Sequence, residues 1–67
     1  MKAISEDGIV VVMMTVSEYH VVMGSLRELA VEMHELDFLP RVGASRDAVG
    51  DLAQRFFDES VRMGIEE

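Results

Sequence analysis

Sixty-seven residues make one small domain, and at that size a single core rarely supplies more than about 3–5 kcal/mol. The chain has no cysteine, which excludes disulfides and thiolate metal sites and fits a reducing compartment, so a cytoplasmic protein is expected. A formal net charge of −7 with six Lys and Arg residues argues against direct DNA binding, whose affinity rests on cations at phosphates, and against anionic membranes.

The hydrophobic share of 49%, with six methionines, is high for so small a body. Excess apolar surface of this kind needs a partner chain, and a homodimer is expected. The longest apolar run, Ile9 to Val16 broken by Thr15, falls far short of the roughly 20 residues that span a bilayer. Glu6 and Asp7 stand where a signal peptide would carry positive charge.

The first elements are strands. Asp7-Gly8 between apolar residues is a hairpin signal, predicting a short strand over about 2–5 and a firmer one over about 9–15. The two faces of the second strand, Ile9, Val11, Met13 and Val10, Val12, Met14, are wholly apolar. A strand facing water on one side alternates. This one is expected to be covered on both faces, by helices on one side and a partner chain on the other.

"TVSE", residues 15 to 18, matches a capping box, with Met14 and Tyr19 at the flanking staple positions. A helix over about 16–37 follows. Tyr19, Val22, Leu26, Leu29, Met33 and Leu36 form a heptad seam, widened by Met23 and Ala30. With Val10, Val12 and Met14 this seam is the expected interface. Pro40 ends the run, and "DFLPRVGAS" reads as the turn. Ser45 caps a second helix over about 45–63. Its inner stripe is Val49, Leu52, Ala53, Phe56, Phe57, Ser60 and Met63, with Asp51–Arg55 and Asp58–Arg62 as i,i+4 pairs. Gly64 is the left-handed cap, with Ile65 folding back. Gly24 and Gly50 lie inside helices, where glycine costs about 1 kcal/mol, which suggests a close backbone crossing.

No constellation carries chemistry. His20 and His34 lie about 21 Å apart along one helix and cannot share a metal. His34 with Asp37 offers two ligands where three or four must converge. Ser17 can reach His20, but no carboxylate orients that imidazole. The glycines form no phosphate-binding pattern. Arg41 sits near the end of the first helix and could, with Arg46, flank an anion, but no glycine-rich cradle accompanies them. Neither enzyme chemistry nor a cofactor is expected. Glu28, Glu32, Glu35, Asp51 and Asp58, with Asp47 and Glu59, form an acidic face that is either a solvated surface or a mimic of phosphate spacing. His20, at the seam border near Gly24, could face a dimer mate.

Two resemblances follow from particular stretches. "GASRDAVGDLAQRFF" and "VMMTVSEY" resemble the second helix and the strand-to-helix junction of ribbon-helix-helix proteins, over residues 9–63. That resemblance implies a dimeric DNA-binding regulator or antitoxin. The residues point elsewhere, since base readout needs donors and acceptors in a groove and neither strand face has one before Thr15. "TVSEY", "ELDF" and "RVGASRDAV" are similar to short proteins of actinobacterial phages, a resemblance that implies no activity.

The reading is an α+β fold: one or two N-terminal strands, then an antiparallel two-helix hairpin, as an intertwined homodimer. The expected function is a non-enzymatic protein–protein interaction module, a phage accessory protein acting on a host protein. A ribbon-helix-helix-like regulator and an acidic nucleic-acid mimic are the alternatives.

Overall fold

The computed structural model describes residues 1–32 and 41–66. Strands β1 (Lys2–Glu6) and β2 (Ile9–Met13) precede helices α1 (Val16–Glu32) and α2 (Arg46–Met63). The expected α+β order and the first-strand option both stand. The second strand ends at Met13, because Met14 and Thr15 lead into the helix cap. Residues 33–37 of the expected first helix lie outside the described residues, and with them Met33, His34, Glu35, Leu36 and Asp37.

The hairpin turns on Asp7 and Gly8, with φ of 52° and 77°. Positive φ at both central residues is the signature of a type I′ turn, whose twist matches the flanking strands. Pairing is antiparallel, with Glu6 opposite Ile9, Ile4 opposite Val11 and Lys2 opposite Met13. One face therefore carries Lys2, Ile4, Glu6, Ile9, Val11 and Met13, and the other Ala3, Ser5, Val10 and Val12.

Helix α1 opens on the capping box in full. The Thr15 amide donates to Glu18 Oε1 at 2.8 Å, and the Glu18 amide donates to Thr15 Oγ1 at 3.1 Å. Helix α2 opens on Ser45, whose Oγ accepts from the Ala48 amide at 3.1 Å. It closes on a Schellman motif. Gly64 is left-handed at φ 72°, its amide donates to Val61 O at 3.1 Å, and the Ile65 amide reaches Ser60 O at 2.9 Å. Arg41 and Val42, within the stretch expected as a turn, have helical backbone.

The helices run antiparallel. Tyr19 near the start of α1 stacks on Phe56 near the end of α2, with ring centroids 5.1 Å apart, and its hydroxyl donates to Phe56 O at 2.5 Å. At the opposite end Arg46 Nε donates to Ala30 O at 2.9 Å. Arg46 thus ties the helices together, and its guanidinium is engaged on protein rather than held for an anion.

The core is small. Among the described residues only Met23, Val49 and Ser60 are buried, and Ser60 Oγ donates to Phe57 O at 2.6 Å. The inner stripe of α2 is narrower than expected. Val49, Ala53, Phe56 and Ser60 turn inward, whereas Leu52, Phe57 and Met63 are exposed. One neighbouring helix covers only a limited arc of another, and seven residues span a wider one. Two further expectations are corrected. A Cβ built on Gly24 or Gly50 meets nothing within 4 Å, so no backbone crosses there among the described residues. The expected Asp58–Arg62 pair is replaced: Arg62 Nε bonds Glu59 Oε2 at 2.5 Å, and Asp58 accepts from Gln54 at 2.9 Å. Among the described residues Asp51 and Arg55 form no ion pair. The competing i,i+3 partner lies equally close on a helix surface.

Candidate interaction surface

Every residue of β1 and β2 is exposed, and neither helix packs against the hairpin. The expected helical cover on one strand face is therefore not supplied by the described residues. What joins the hairpin to the helices is the chain itself and the Met1 amino group, 3.9 Å from Glu18 Oε2. The projection shows in the dimensions. The radius of gyration is 13.0 Å, against about 11 Å for a compact chain of this length.

The exposed surface is apolar in a way that isolated surface residues are not. Ile4, Ile9, Val11 and Met13 share one face and are 65%, 64%, 52% and 66% exposed. They form two shallow hollows, one around Ile4, Ile9 and Val11 and the other around Ile4, Val11 and Met13. Lys2 and Glu6 mark the ends of that face. The opposite face carries Val10 and Val12, also exposed. A two-stranded hairpin standing alone in water is marginal at best. Clustered apolar side chains on both of its faces mark a contact surface.

The backbone adds directionality. A two-residue turn closes on a hydrogen-bonded pair, here Glu6 with Ile9, and such pairs then alternate along the ladder. Ile4 with Val11 and Lys2 with Met13 are bonded likewise. The amides and carbonyls of Val10 and Val12 therefore point away from β1, along a free edge. That edge carries no charge and no proline over Ile9–Met13, the devices by which exposed edges are usually kept from pairing.

A further hollow lies between the helices. It is a cleft of about 340 Å³ floored by Ala30, Gly50 and Ala53 and walled by Met23, Val31 and Phe57, with Arg27 and Gln54 as its polar margin. It contains no carboxylate and no histidine. Among the described residues no group of His, Asp and Glu could hold a metal ion, and no helix is long and apolar enough to cross a membrane.

The sequence-expected interface divides. Val10 and Val12 lie on the free hairpin. Tyr19 is occupied within the chain by Phe56. Val22, Leu26 and Leu29 are half-buried on the flank of α1, beside the line of Met23 that meets α2, and Met14 is half-buried after the strand. Met33 and Leu36 lie outside the described residues. Sequence reasoning named Ile9, Val11 and Met13 as one apolar strand face but left them out of the interface, and Ile4 joins them only once β1 is placed in register. The acidic residues do not gather. Glu32 is nine residues from Met23 and Asp58 nine from Val49, about half a turn round in each helix. They point away from the shared contact on opposite sides, with Glu28 near the first and Asp51 near the second. His20 is not turned toward an outside mate. Its Nε2 bonds the carbonyl of Ile65 in the Schellman turn, which joins the two helix ends.

Two ionisations bear on the fold. Glu18 is held below the usual carboxylate range, chiefly by the Thr15 amide, with the Met1 ammonium and the Thr15 hydroxyl adding and partial burial opposing. Its folded value lies below its unfolded one. The stability it contributes is therefore fully present above the ordinary glutamate value of about 4.3 and is lost as pH falls through the folded value. Burial pushes the Tyr19 phenol up, with Glu59 adding and Arg62 opposing. That contribution is present below the ordinary phenol value and lost as pH rises through the folded one. Glu18→Gln, which removes the titrating carboxylate, should flatten the acid limb. Urea midpoints at pH 7 and pH 3.5 check this. An acid limb as steep as in the parent chain would contradict the assignment to Glu18.

No family model, curated protein or solved structure matches the chain.

Proposed function

We propose that the chain is a non-enzymatic protein–protein interaction module whose binding surface is the N-terminal hairpin, working as a homodimer on a further protein partner. The observation that carries this is the exposure of both hairpin faces, Ile4, Ile9, Val11 and Met13 on one and Val10 and Val12 on the other. A chain whose interior holds so few buried side chains gains from placing that surface against another protein. The accessory role on a host protein fits a small acidic body with an apolar contact surface. The regulator reading draws no support from β2, which offers no polar side chain to a base edge. The mimic reading draws none from acids that face opposite ways.

The test is a paired capture. Tagged parent chain and an Ile4→Lys/Ile9→Lys variant are used as bait in lysate of the host, and bound proteins are quantified against each other. A protein held by the parent and lost at least tenfold by the variant is the expected result. Both substitutions lie at exposed positions, so circular dichroism should show the helices of the variant intact. Equal capture by the two baits would overturn the reading.

A further inference from the structure

We infer that β2 pairs edge to edge with β2 of a second copy of this chain, antiparallel and centred on Val11, to make a four-stranded sheet in the order β1, β2, β2 of the mate, β1 of the mate. The inference rests on the hairpin being an interaction surface and names its first partner.

Three observations converge on a second copy. The first is the register. With Val10 and Val12 presenting the free backbone groups, a two-fold axis at Val11 sets Val10 opposite Val12 of the mate, and Val12 opposite its Val10. Both are hydrogen-bonded pairs, so all the outward groups of the two residues are satisfied. Val11 then meets its own copy, and Ile9 meets Met13, as closely spaced pairs of similar bulk. The same patch serves both partners, as a two-fold interface requires.

Charge is the second. Two chains of net charge −7 repel, but β2 carries no charge. Lys2 and Glu6 stay on the outer strands, so the mates meet where no like charges oppose.

Area is the third. A folded monomer of 7.5 kDa exposes about 4,250 Å² by the mass scaling of soluble monomers, whereas this chain exposes 5356 Å². The excess of roughly 1,100 Å² is surface beyond that of a compact monomer, and every residue of the hairpin strands is exposed. The paired sheet also merges Ile4, Ile9, Val11 and Met13 of both copies into one continuous apolar face, broad enough to receive a further protein.

The absence of cysteine makes the register directly testable. Closely spaced antiparallel pairs have Cα atoms about 4.5 Å apart, within disulfide reach. Val11→Cys should oxidise to a covalent dimer at least tenfold faster than Val21→Cys on the exposed flank of α1. Ile9→Cys and Met13→Cys should each cross-link poorly alone and readily when mixed. Light scattering on the unmodified chain should give the mass of two copies at tens of micromolar. A monomer mass, or Val11→Cys no faster than the control, overturns the inference. So does fastest cross-linking at Ile4→Cys, which would place the contact on β1. A monomer that still loses its captured protein in the Ile4→Lys/Ile9→Lys variant would leave the interaction reading standing while this one fails.

Discussion

Val11→Lys is expected to turn a dimer into a monomer with the helices unchanged. In the single chain Val11 is half-exposed opposite Ile4, so a lysine there meets water and costs the fold little. Across the two-fold axis the same change places two ammonium groups opposite each other and removes two valines from the contact. Like charges directly opposed on a sheet are destabilising, and full burial of a valine is worth about 1.5 kcal/mol, of which half remains to be gained here. Together these effects come to about 2–3 kcal/mol, or roughly a hundredfold in the dissociation constant. Sedimentation across a concentration series measures it. Val21→Lys, on a side chain more exposed than Val11 but on α1, should leave association as it was. If Val11→Lys associates as tightly as the parent chain, β2 is not the contact.

The second large effect is expected in the helical core. Met23 sits where α1 meets α2, beside Ala30, Gly50 and Phe57, and with Val49 it is one of two buried apolar side chains among the described residues. Truncating a buried methionine to alanine typically costs 2–5 kcal/mol, depending on how far the site collapses. Met23 already borders an open cleft, which places Met23→Ala near the lower end, about 2–3 kcal/mol. That is most of what one small core supplies. The variant should be largely unfolded at low micromolar concentration and regain structure as concentration rises, because association favours the folded form by mass action. Circular dichroism at two concentrations a hundredfold apart checks this. A variant as stable as the parent at both concentrations would mean that the helix pair is held by something other than the contact at Met23.

The sequence carried the local chemistry well. "TVSE", Ser45 and Gly64 each specify a helix end through hydrogen bonds made within a few residues, and all three ends form as their residue types dictate. Asp7-Gly8 fixes the hairpin for the same reason. What lay beyond the sequence was the distance between elements. The apolar strand implied cover on both faces, yet periodicity holds no information on whether that cover comes from the same chain. Leu52, Phe57 and Met63 share the hydrophobic periodicity of Val49 and Phe56, and only the width of α1 decides which of them is buried. His20 looked like a border residue because its partner, the carbonyl of Ile65, is a backbone group at the other end of the chain. Gly24 and Gly50 suggested a crossing that a helix pair without a third layer does not provide.

The hairpin and the helix pair thus differ in kind. The helices satisfy one another through Tyr19, His20 and Arg46, three side chains that each bond a backbone carbonyl of the facing helix or its terminal turn. The hairpin satisfies only itself, along one edge. Its stability and the protein's association are therefore expected to be a single quantity.

Amide hydrogen exchange at Val10 and Val12 measures that quantity most directly. In a lone hairpin these two amides point outward and exchange fast, while those of Ile9, Val11 and Met13 are bonded to β1. Val10 and Val12 are expected to be as protected as Val11 at high micromolar concentration and to lose that protection together on dilution. Fast exchange at Val10 and Val12 at every concentration, beside a protected Val11, would contradict it.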